Sequence, residues 1–234
     1  MNNFVVNNYS IIFSSQRLPK KVNYMNIKKF TFNPFSENTY LLHENNIGII
    51  VDPGMSNPLE EKEFDDYIKE ENIDLQRCIL THCHIDHVLG NQHIFKTYNV
   101  LPEYNEKDKM LFENNEKVAA MYGVPYTPSP DPKGYIDEKD EILLCDTTLE
   151  IRFVPGHAPG HIIFIDHTTK SIIAGDTLFK MSIGRTDLPG GNHQQLLEAI
   201  RKQLFTLADD YIIYCGHGPE TTIGFEKANN PFLK

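Results

Sequence analysis

The alternation of apolar and polar residues along the chain predicts nine short strands. These runs are short and rich in apolar residues, some at every second position, and Asn, Asp, Gly or Pro bounds several of them, which is typical of strands. The predicted strands cover residues 27–32, 38–43, 47–51, 78–80, 141–144, 149–154, 162–166, 171–174 and 211–215. The run at 78–80 predicts a short buried strand that leads directly into a cluster of histidines.

Apolar residues three or four positions apart predict helices between these strands. The helices cover about residues 58–71, 88–98, 105–122 and 193–206, and the segment 123–135, with four prolines and two glycines, is predicted to be a loop. The order along the chain is thus strands, helix, strand and helix, followed by a second series of strands and helices. This order predicts an α/β fold with two sheets, each covered by helices on one side.

Length, charge and cysteine content narrow the class of protein. The 234 residues fit one large domain, predicted at residues 25–234, after a weakly packed N-terminal extension at 1–24. The formal net charge of −10 disfavours nucleic acid as a partner, because an acidic surface repels phosphates. The chain shows no apolar run of about 20 residues, no signal peptide and no C-x-x-C pair. The sequence therefore predicts a cytoplasmic protein without membrane association, a monomer or a homodimer.

The segment 82–87, His-Cys-His-Ile-Asp-His, places four metal-binding side chains within six positions. In a loop directly after a strand, alternate residues project the same way, so His82 and His84 can share one metal ion. Asp86 and His87, a turn further on, can reach a second position. Neutral imidazole and carboxylate suit zinc, iron or manganese.

Three further candidate ligands follow predicted strands, and each lies beside a glycine that lets the backbone approach closely. They are His157, Asp176 and His217. His82, His84 and His157 form one set of three nitrogens; Asp86, His87 and His217 form a second set; Asp176 can bridge the two. Each set leaves room for a shared water, which a catalytic site needs and a structural site lacks.

The pattern Thr-His-x-His-x-Asp-His at 81–87, followed in order by these three residues, resembles the metallo-β-lactamase fold superfamily. The resemblance covers about residues 27–234 and implies a four-layer αβ/βα sandwich with two divalent metal ions, held by the seven residues just named. The segments 175–179, 184–187 and 216–222 are similar to the glyoxalase II (hydroxyacylglutathione hydrolase) group in its short, single-domain bacterial form. Longer members carry a C-terminal helical domain that helps hold glutathione. The chain extends only 17 residues beyond His217, so the resemblance implies that this domain is absent.

The resemblance implies a hydrolase that acts on a small-molecule thioester such as S-lactoylglutathione. Two cations, with zinc expected and iron or manganese as alternatives, lower the pKa of a shared water from about 15.7 toward neutrality. Asp86 can orient the resulting hydroxide toward the carbonyl. A thiolate leaves readily, so no separate strong acid is required. Arg185 and Lys180 are expected substrate contacts, although Arg185 can instead pair with Asp187 and Lys180 can simply pack.

Other readings of the same residues stay open. A mononuclear iron persulfide dioxygenase shares the fold and the histidine cluster, although the glycines around His217 favour a hydrolase. A metallo-hydrolase of an unrelated substrate, such as a β-lactamase or a nuclease, and a metal-storing module are the remaining alternatives. Cys83 is expected to pack in the core. Isolated histidines are expected to be surface residues or core residues whose hydrogen bonds are satisfied: His43, His93, His161, His167 and His193.

Overall fold

The structure, a computed structural model, describes residues 24–234. The predicted N-terminal extension therefore lies outside the described residues, apart from Tyr24. Six strands form a first sheet in chain order: β1 (Asn26–Phe32), β2 (Glu37–Glu44), β3 (Ile47–Val51), β4 (Asp74–Ile79), β5 (Pro102–Tyr104) and β6 (Gly134–Tyr135). β1, β2 and β3 are antiparallel neighbours, whereas β3, β4, β5 and β6 run parallel.

Six more strands form a second sheet in the order β14-β13-β10-β9-β8-β7. They are β7 (Glu141–Leu144), β8 (Thr147–Phe153), β9 (Ile162–Asp166), β10 (Ser171–Gly175), β13 (Ile212–Cys215) and β14 (Thr221–Thr222). β10 is parallel to β13, and both β8 and β10 are antiparallel to β9. The carboxyl ends of β8, β10 and β13 therefore lie at one edge. A hairpin of β11 (Leu178–Phe179) and β12 (Ser182–Ile183) follows β10.

Helices cover the outer faces of both sheets. They are α1 (Pro58–Glu70), α2 (Asn91–Tyr98), α3 (Lys109–Tyr122), α4 (His193–Ala199), which continues as a π-helical turn Ile200–Leu204, and α5 (Ile223–Asn229). Asn57 caps α1 by accepting hydrogen bonds from the N–H groups of Leu59 and Glu60 at 3.0 and 3.2 Å. Pro58, which has no N–H to satisfy, occupies the first turn. No helix within residues 24–234 is long and apolar enough to cross a membrane.

Alternation along the central strands divides the core into layers. In β9, Ile162 and Phe164 face the other sheet, whereas Ile163 and Ile165 face the helices of their own side. In β2, Leu42 packs between the sheets and Leu41 packs under the helices of the first sheet. A strand that is apolar on both faces needs cover on both faces, so the two sheets stack and each carries helices outside. The four-layer αβ/βα sandwich is confirmed.

The predicted strands and helices are present, with shifts at their ends, and the predicted loop includes the short strand β6. The elements missing from the prediction were β5, β6, β11, β12, β14 and α5. The five strands contain only two or three residues each, which is too short to show a periodicity, and their pairing partners define them.

Candidate metal centre

The seven predicted ligands meet where strand ends from both sheets come together. β4 delivers the segment 80–87, whose last residues form a 3₁₀ turn, Ile85–His87. His157 follows β8, Asp176 follows β10 directly, and His217 follows β13. Two glycines make the approach possible. A Cβ on Gly216 would lie 2.1 Å from Oδ1 of Asp176, and one on Gly175, whose φ is +49°, would lie 2.3 Å from Oγ1 of Thr81.

The first set consists of three ring nitrogens that point at one another. Nε2 of His157 lies 2.8 Å from Nδ1 of His84 and 3.2 Å from Nε2 of His82. His82 and His157 are buried, and His84 is partly buried at the floor of a cleft. Three imidazole nitrogens at this spacing can ligate one divalent ion.

The second set consists of Asp86, His87 and His217. Oδ2 of Asp86 lies 3.1 Å from Nε2 of His217 and 3.7 Å from Nε2 of His87. Asp176 lies between the sets, because its Oδ2 is 3.5 Å from Nε2 of His157 and 3.4 Å from Nε2 of His217. Its Oδ1 is 3.5 Å from Nε2 of His87. Asp176 therefore lies between the two sets, in the position that the predicted bridge requires.

Hydrogen bonds on the far side of the rings turn lone pairs toward the centre. Nδ1 of His157 donates to the carbonyl oxygen of Arg185 at 2.8 Å, and Nδ1 of His217 to that of Phe35 at 3.1 Å. Nδ1 of His87 donates to Oδ2 of Asp52 at 3.1 Å. In the neutral form of each ring, Nε2 then presents a lone pair to the centre, and Nε2 of His87 and Oδ1 of Asp176 have no hydrogen-bond partner among the described residues. Converging lone pairs and an orphaned buried carboxylate oxygen fit divalent cations.

Asp52 lies beneath both sets. Its Oδ1 accepts the N–H of Thr81 at 2.7 Å, and its Oδ2 accepts the hydroxyl of Thr81 at 2.6 Å, besides binding His87. Thr81 has one hydroxyl hydrogen, which it donates to Asp52. Oγ1 of Thr81 therefore acts as the acceptor in its 3.0 Å hydrogen bond with Nδ1 of His82. Asp52 thus orients one ring of each set. One carboxylate oxygen of Asp52 also lies within 4.8 Å of ring nitrogens of His82 and His87, but both of its oxygens already accept hydrogen bonds.

His161, which was expected to be an ordinary core histidine, supports the bridge. Its Nε2 accepts the backbone N–H of Asp176 at 3.0 Å, and its ring stacks on that of His82 with centroids 4.7 Å apart. Burial lowers the pKa of His161 well below its ordinary value, so the ring is neutral and can accept this bond. It is buried, as expected, but it contacts the centre directly.

Asp108 and Asn115 hold the loop between His82 and His84. Oδ2 of Asp108 accepts the N–H of Cys83 at 2.9 Å, and its Oδ1 accepts that of Gly160, three residues beyond His157. Nδ2 of Asn115 in α3 donates to the carbonyl oxygen of Cys83 at 3.1 Å. Cys83 itself is buried, as expected. These bonds tie two ligand loops to α3.

The two sets have opposite electrostatics. Burial lowers the pKa of His82, His84 and His157, that of His84 to about 3, and nearby histidines add to the effect. Burial also acts to lower the pKa of His87, but the carboxylates of Asp86 and Asp176 outweigh it and raise that pKa well above its ordinary value. Against burial, hydrogen bonds to the same carboxylates raise the pKa of His217 to about 10.

A cleft of about 640 Å³ opens over the centre. His84, Asp86, His157, Asp176 and His217 form part of its lining. Its walls are one face of α3 and the residues Phe179, Ser182, Ile183, Arg185, Leu188 and Pro189. This volume is typical of a small-molecule site.

The two predicted substrate contacts differ in position. Arg185 lines the cleft and forms a two-pronged ion pair with Asp187 at 2.8 and 2.7 Å. Lys180 is absent from the cleft lining, and its ammonium lies over the ring of Phe225 at 5.7 Å from the centroid. Sequence reasoning missed Asp52, Thr81, His161 and Asp108 as supporting residues. One available signal was the position of Asp52 directly after a parallel strand, as with Asp176.

Comparison with known proteins places this geometry in a family. The sequence profile of the metallo-beta-lactamase superfamily matches residues 32–217. The chain is similar to hydroxyacylglutathione hydrolase GloC of Haemophilus influenzae, with 41% identity over 89% of this chain and 98% of that protein. Among solved structures it is similar to the B3 metallo-beta-lactamase BLEG-1, with TM-score 0.82, 29% identity and coverage of 89% of this chain and 100% of that one. It is also similar to TTHA1623, solved in a di-iron-bound form, with TM-score 0.80, 30% identity and coverage of 88% and 100%.

Proposed function

Because the chain belongs to the metallo-β-lactamase superfamily, as a metallo-hydrolase of that fold, we propose that it hydrolyses thioesters, with hydroxyacyl thioesters of glutathione as the first substrates to test. The observation that carries the proposal is the convergence of seven ligand side chains at the floor of an open cleft. A structural site would be closed by protein ligands. The 41% identity to a relative named hydroxyacylglutathione hydrolase supports the choice of substrate.

In the proposed reaction, the oxygen of a water molecule bonds to the thioester carbonyl carbon. The carbon–sulfur bond breaks, its electron pair goes to sulfur, and the products are a carboxylate, a thiol and one released proton. Divalent ions, when bound, supply Lewis-acid chemistry that acidifies water and stabilises negative charge on a carbonyl oxygen. Zinc is the proposed ion, and iron and manganese are the alternatives, because imidazole and carboxylate ligands suit all three.

The residues of the chain bind and orient. His82, His84 and His157 would hold one ion and Asp86, His87 and His217 the other, with Asp176 between them. Asp86 also lines the cleft, so its carboxylate can accept a hydrogen bond from the attacking water. A cytoplasmic location and a monomeric or homodimeric state remain predictions from the sequence.

Metal analysis of the purified protein, alongside a thioester panel that includes S-lactoylglutathione, tests the proposal. We expect two ions per chain and release of free thiol at a rate that depends on metal loading. One iron per chain, together with oxygen consumption in the presence of glutathione persulfide, would instead assign the chain to the dioxygenase alternative. Nitrocefin turnover without thioester turnover would assign it to the lactamases.

A further inference from the structure

The wall of the cleft formed by α3 is largely apolar up to the exposed surface. The residues of α3 that line it are Met110, Leu111, Asn114, Asn115, Val118, Met121 and Tyr122. Met110, Met121 and Tyr122 expose 53%, 73% and 43% of their surface, respectively. The two exposed methionines thus form an apolar surface beside the candidate metal centre, and a bound ligand can cover this surface.

The facing wall is apolar as well. Phe179, Ile183, Leu188 and Pro189 line it, and Phe35 closes one side, with its ring edge-on to Tyr122 at 5.6 Å between centroids. Phe179 also lies edge-on to the ring of His217, with centroids 6.1 Å apart. Apolar surface therefore begins directly beside the metal centre and extends along α3.

Apart from the candidate ligands and the hydroxyls of Ser182 and Tyr122, the polar side chains that line the cleft are already engaged. Among the described residues that line it, Arg185 is the one lysine or arginine, and its guanidinium pairs with Asp187. Nδ2 of Asn114 donates to the carbonyl oxygen of Met110 in its own helix. Nδ2 of Asn115 donates to Cys83. Little remains to recognise the two carboxylates and the ammonium group of glutathione inside the cleft.

We propose that the apolar cleft beside α3 holds an alkyl acyl group, so that the enzyme prefers glutathione thioesters of medium-chain fatty acids to that of lactate. This proposal rests on the proposed thioester hydrolysis and keeps its bond changes: water attacks the acyl carbonyl carbon, and the thiol of glutathione leaves. The charged peptide stays at the mouth of the cleft, in water, where its charges need no partner. A lactoyl group, by contrast, would bring a hydroxyl against apolar side chains.

Hydrolysis of acetyl-, butyryl-, hexanoyl-, octanoyl- and S-lactoylglutathione by the metal-loaded enzyme tests the proposal, because the thiol carrier is constant. We expect kcat/KM to rise by roughly two- to fourfold for each methylene, the upper figure corresponding to full burial of one CH₂. Dissociation constants of S-methyl-, S-butyl- and S-octylglutathione, which cannot be hydrolysed, should fall with chain length. This second measurement does not depend on turnover.

The variant Met110→Gln/Met121→Gln keeps side-chain length but makes the wall polar. It should flatten the dependence of kcat/KM, and of the dissociation constants of the S-alkylglutathiones, on chain length. Met181→Gln is the matched control, since Met181 is 44% exposed but does not line the cleft. Equal or faster hydrolysis of S-lactoylglutathione, with no trend along the alkyl series, would overturn the acyl-group proposal alone. Failure to hydrolyse any of the thioesters would overturn the proposed function itself.

Discussion

The two halves of the candidate metal centre use the same kind of side chain but hold it in opposite charge states. His82, His84 and His157 are surrounded mainly by other histidines, and burial keeps them neutral. His87 and His217 face Asp86 and Asp176, and these carboxylates favour the imidazolium form. The first half therefore presents nitrogen lone pairs to a cation, whereas the second half must lose protons before its nitrogens can bind a cation.

A hydrogen bond to Asp52, which lies buried beneath the second half, also raises the pKa of His87 and strengthens this difference. Oε1 of Glu37 lies 3.8 Å from Nδ1 of His87, and Oδ2 of Asp52 lies 3.1 Å from the same atom. Burial raises the pKa of Glu37 well above its ordinary value, although the charge of His87 opposes this effect. Without a metal, a proton on His87 balances the negative charge of Asp86 and Asp176, and a divalent ion would neutralise that charge instead. One candidate centre thus combines a half whose rings are already neutral with a half that must lose protons before it can bind an ion.

Replacement of Asp176 should abolish this distinction, because Asp176 contacts both halves. Asp176→Ala removes the carboxylate oxygens that lie between the two halves. It also removes one of the two carboxylates that raise the pKa values of His87 and His217, so both pKa values should fall. We expect bound metal, measured by elemental analysis, and thioesterase activity to fall together, activity by more than about 100-fold. Asp166→Ala, a buried carboxylate that binds only its own turn, serves as the control for folding. Survival of thioesterase activity in Asp176→Ala would contradict the mechanism.

Replacement of Asp52 should weaken both halves without removing a ligand. Asp52→Asn loses at least one of the acceptors that orient His87 and, through Thr81, His82. We expect metal affinity to fall by roughly 10- to 100-fold, the usual effect of losing such a supporting partner. Titration with a chelator of known affinity measures this. Loss of affinity confined to one of two ions would show that Asp52 serves one half alone.

Binding of the two ions should depend differently on pH. The pKa of His217 is raised to about 10, so near pH 8 the ring is protonated, and an ion at the second half must displace that proton. The pKa of His84 is lowered to about 3, so the first half has no such requirement. We expect affinity for one ion to rise with pH, by up to tenfold per pH unit for each proton displaced from His217 and His87, and affinity for the other ion to be nearly constant. Calorimetry in buffers of different ionisation heat measures the protons released.

The same shift has a consequence for the metal-free protein. Because the folded-state pKa of His217 exceeds its ordinary value of 6.5, its charge interactions stabilise the fold fully below about pH 6.5. This contribution is lost as the pH rises through about 10. Denaturant unfolding of the metal-free protein at several pH values should show the loss, and the metal-loaded protein should not. Identical pH profiles for the two forms would contradict it.

The convergence of the candidate ligands could be predicted from sequence because each carries a local pattern, whereas the residues that support them could not. His82 to His87 lie within six positions, and His157, Asp176 and His217 each stand beside a glycine after an apolar run. The bonds from Asp52 to Thr81 span 29 positions and exist because β3 pairs with β4. His161 has no local pattern that separates it from His167, which lies half exposed on a surface turn. Packing alone gives His161 its contact with Asp176.

The smallest expected effect concerns Arg185, which contributes to the first half through its backbone. Its carbonyl oxygen orients His157, whereas its side chain pairs with Asp187 in a largely exposed position. Asp187→Asn should therefore leave metal content and the melting temperature unchanged, since exposed ion pairs stabilise little. The guanidinium, released from its partner, becomes available to a substrate carboxylate at the cleft mouth. We expect KM for S-lactoylglutathione to fall by up to about threefold with kcat unchanged. A loss of metal would instead mean that the ion pair holds the loop that positions His157.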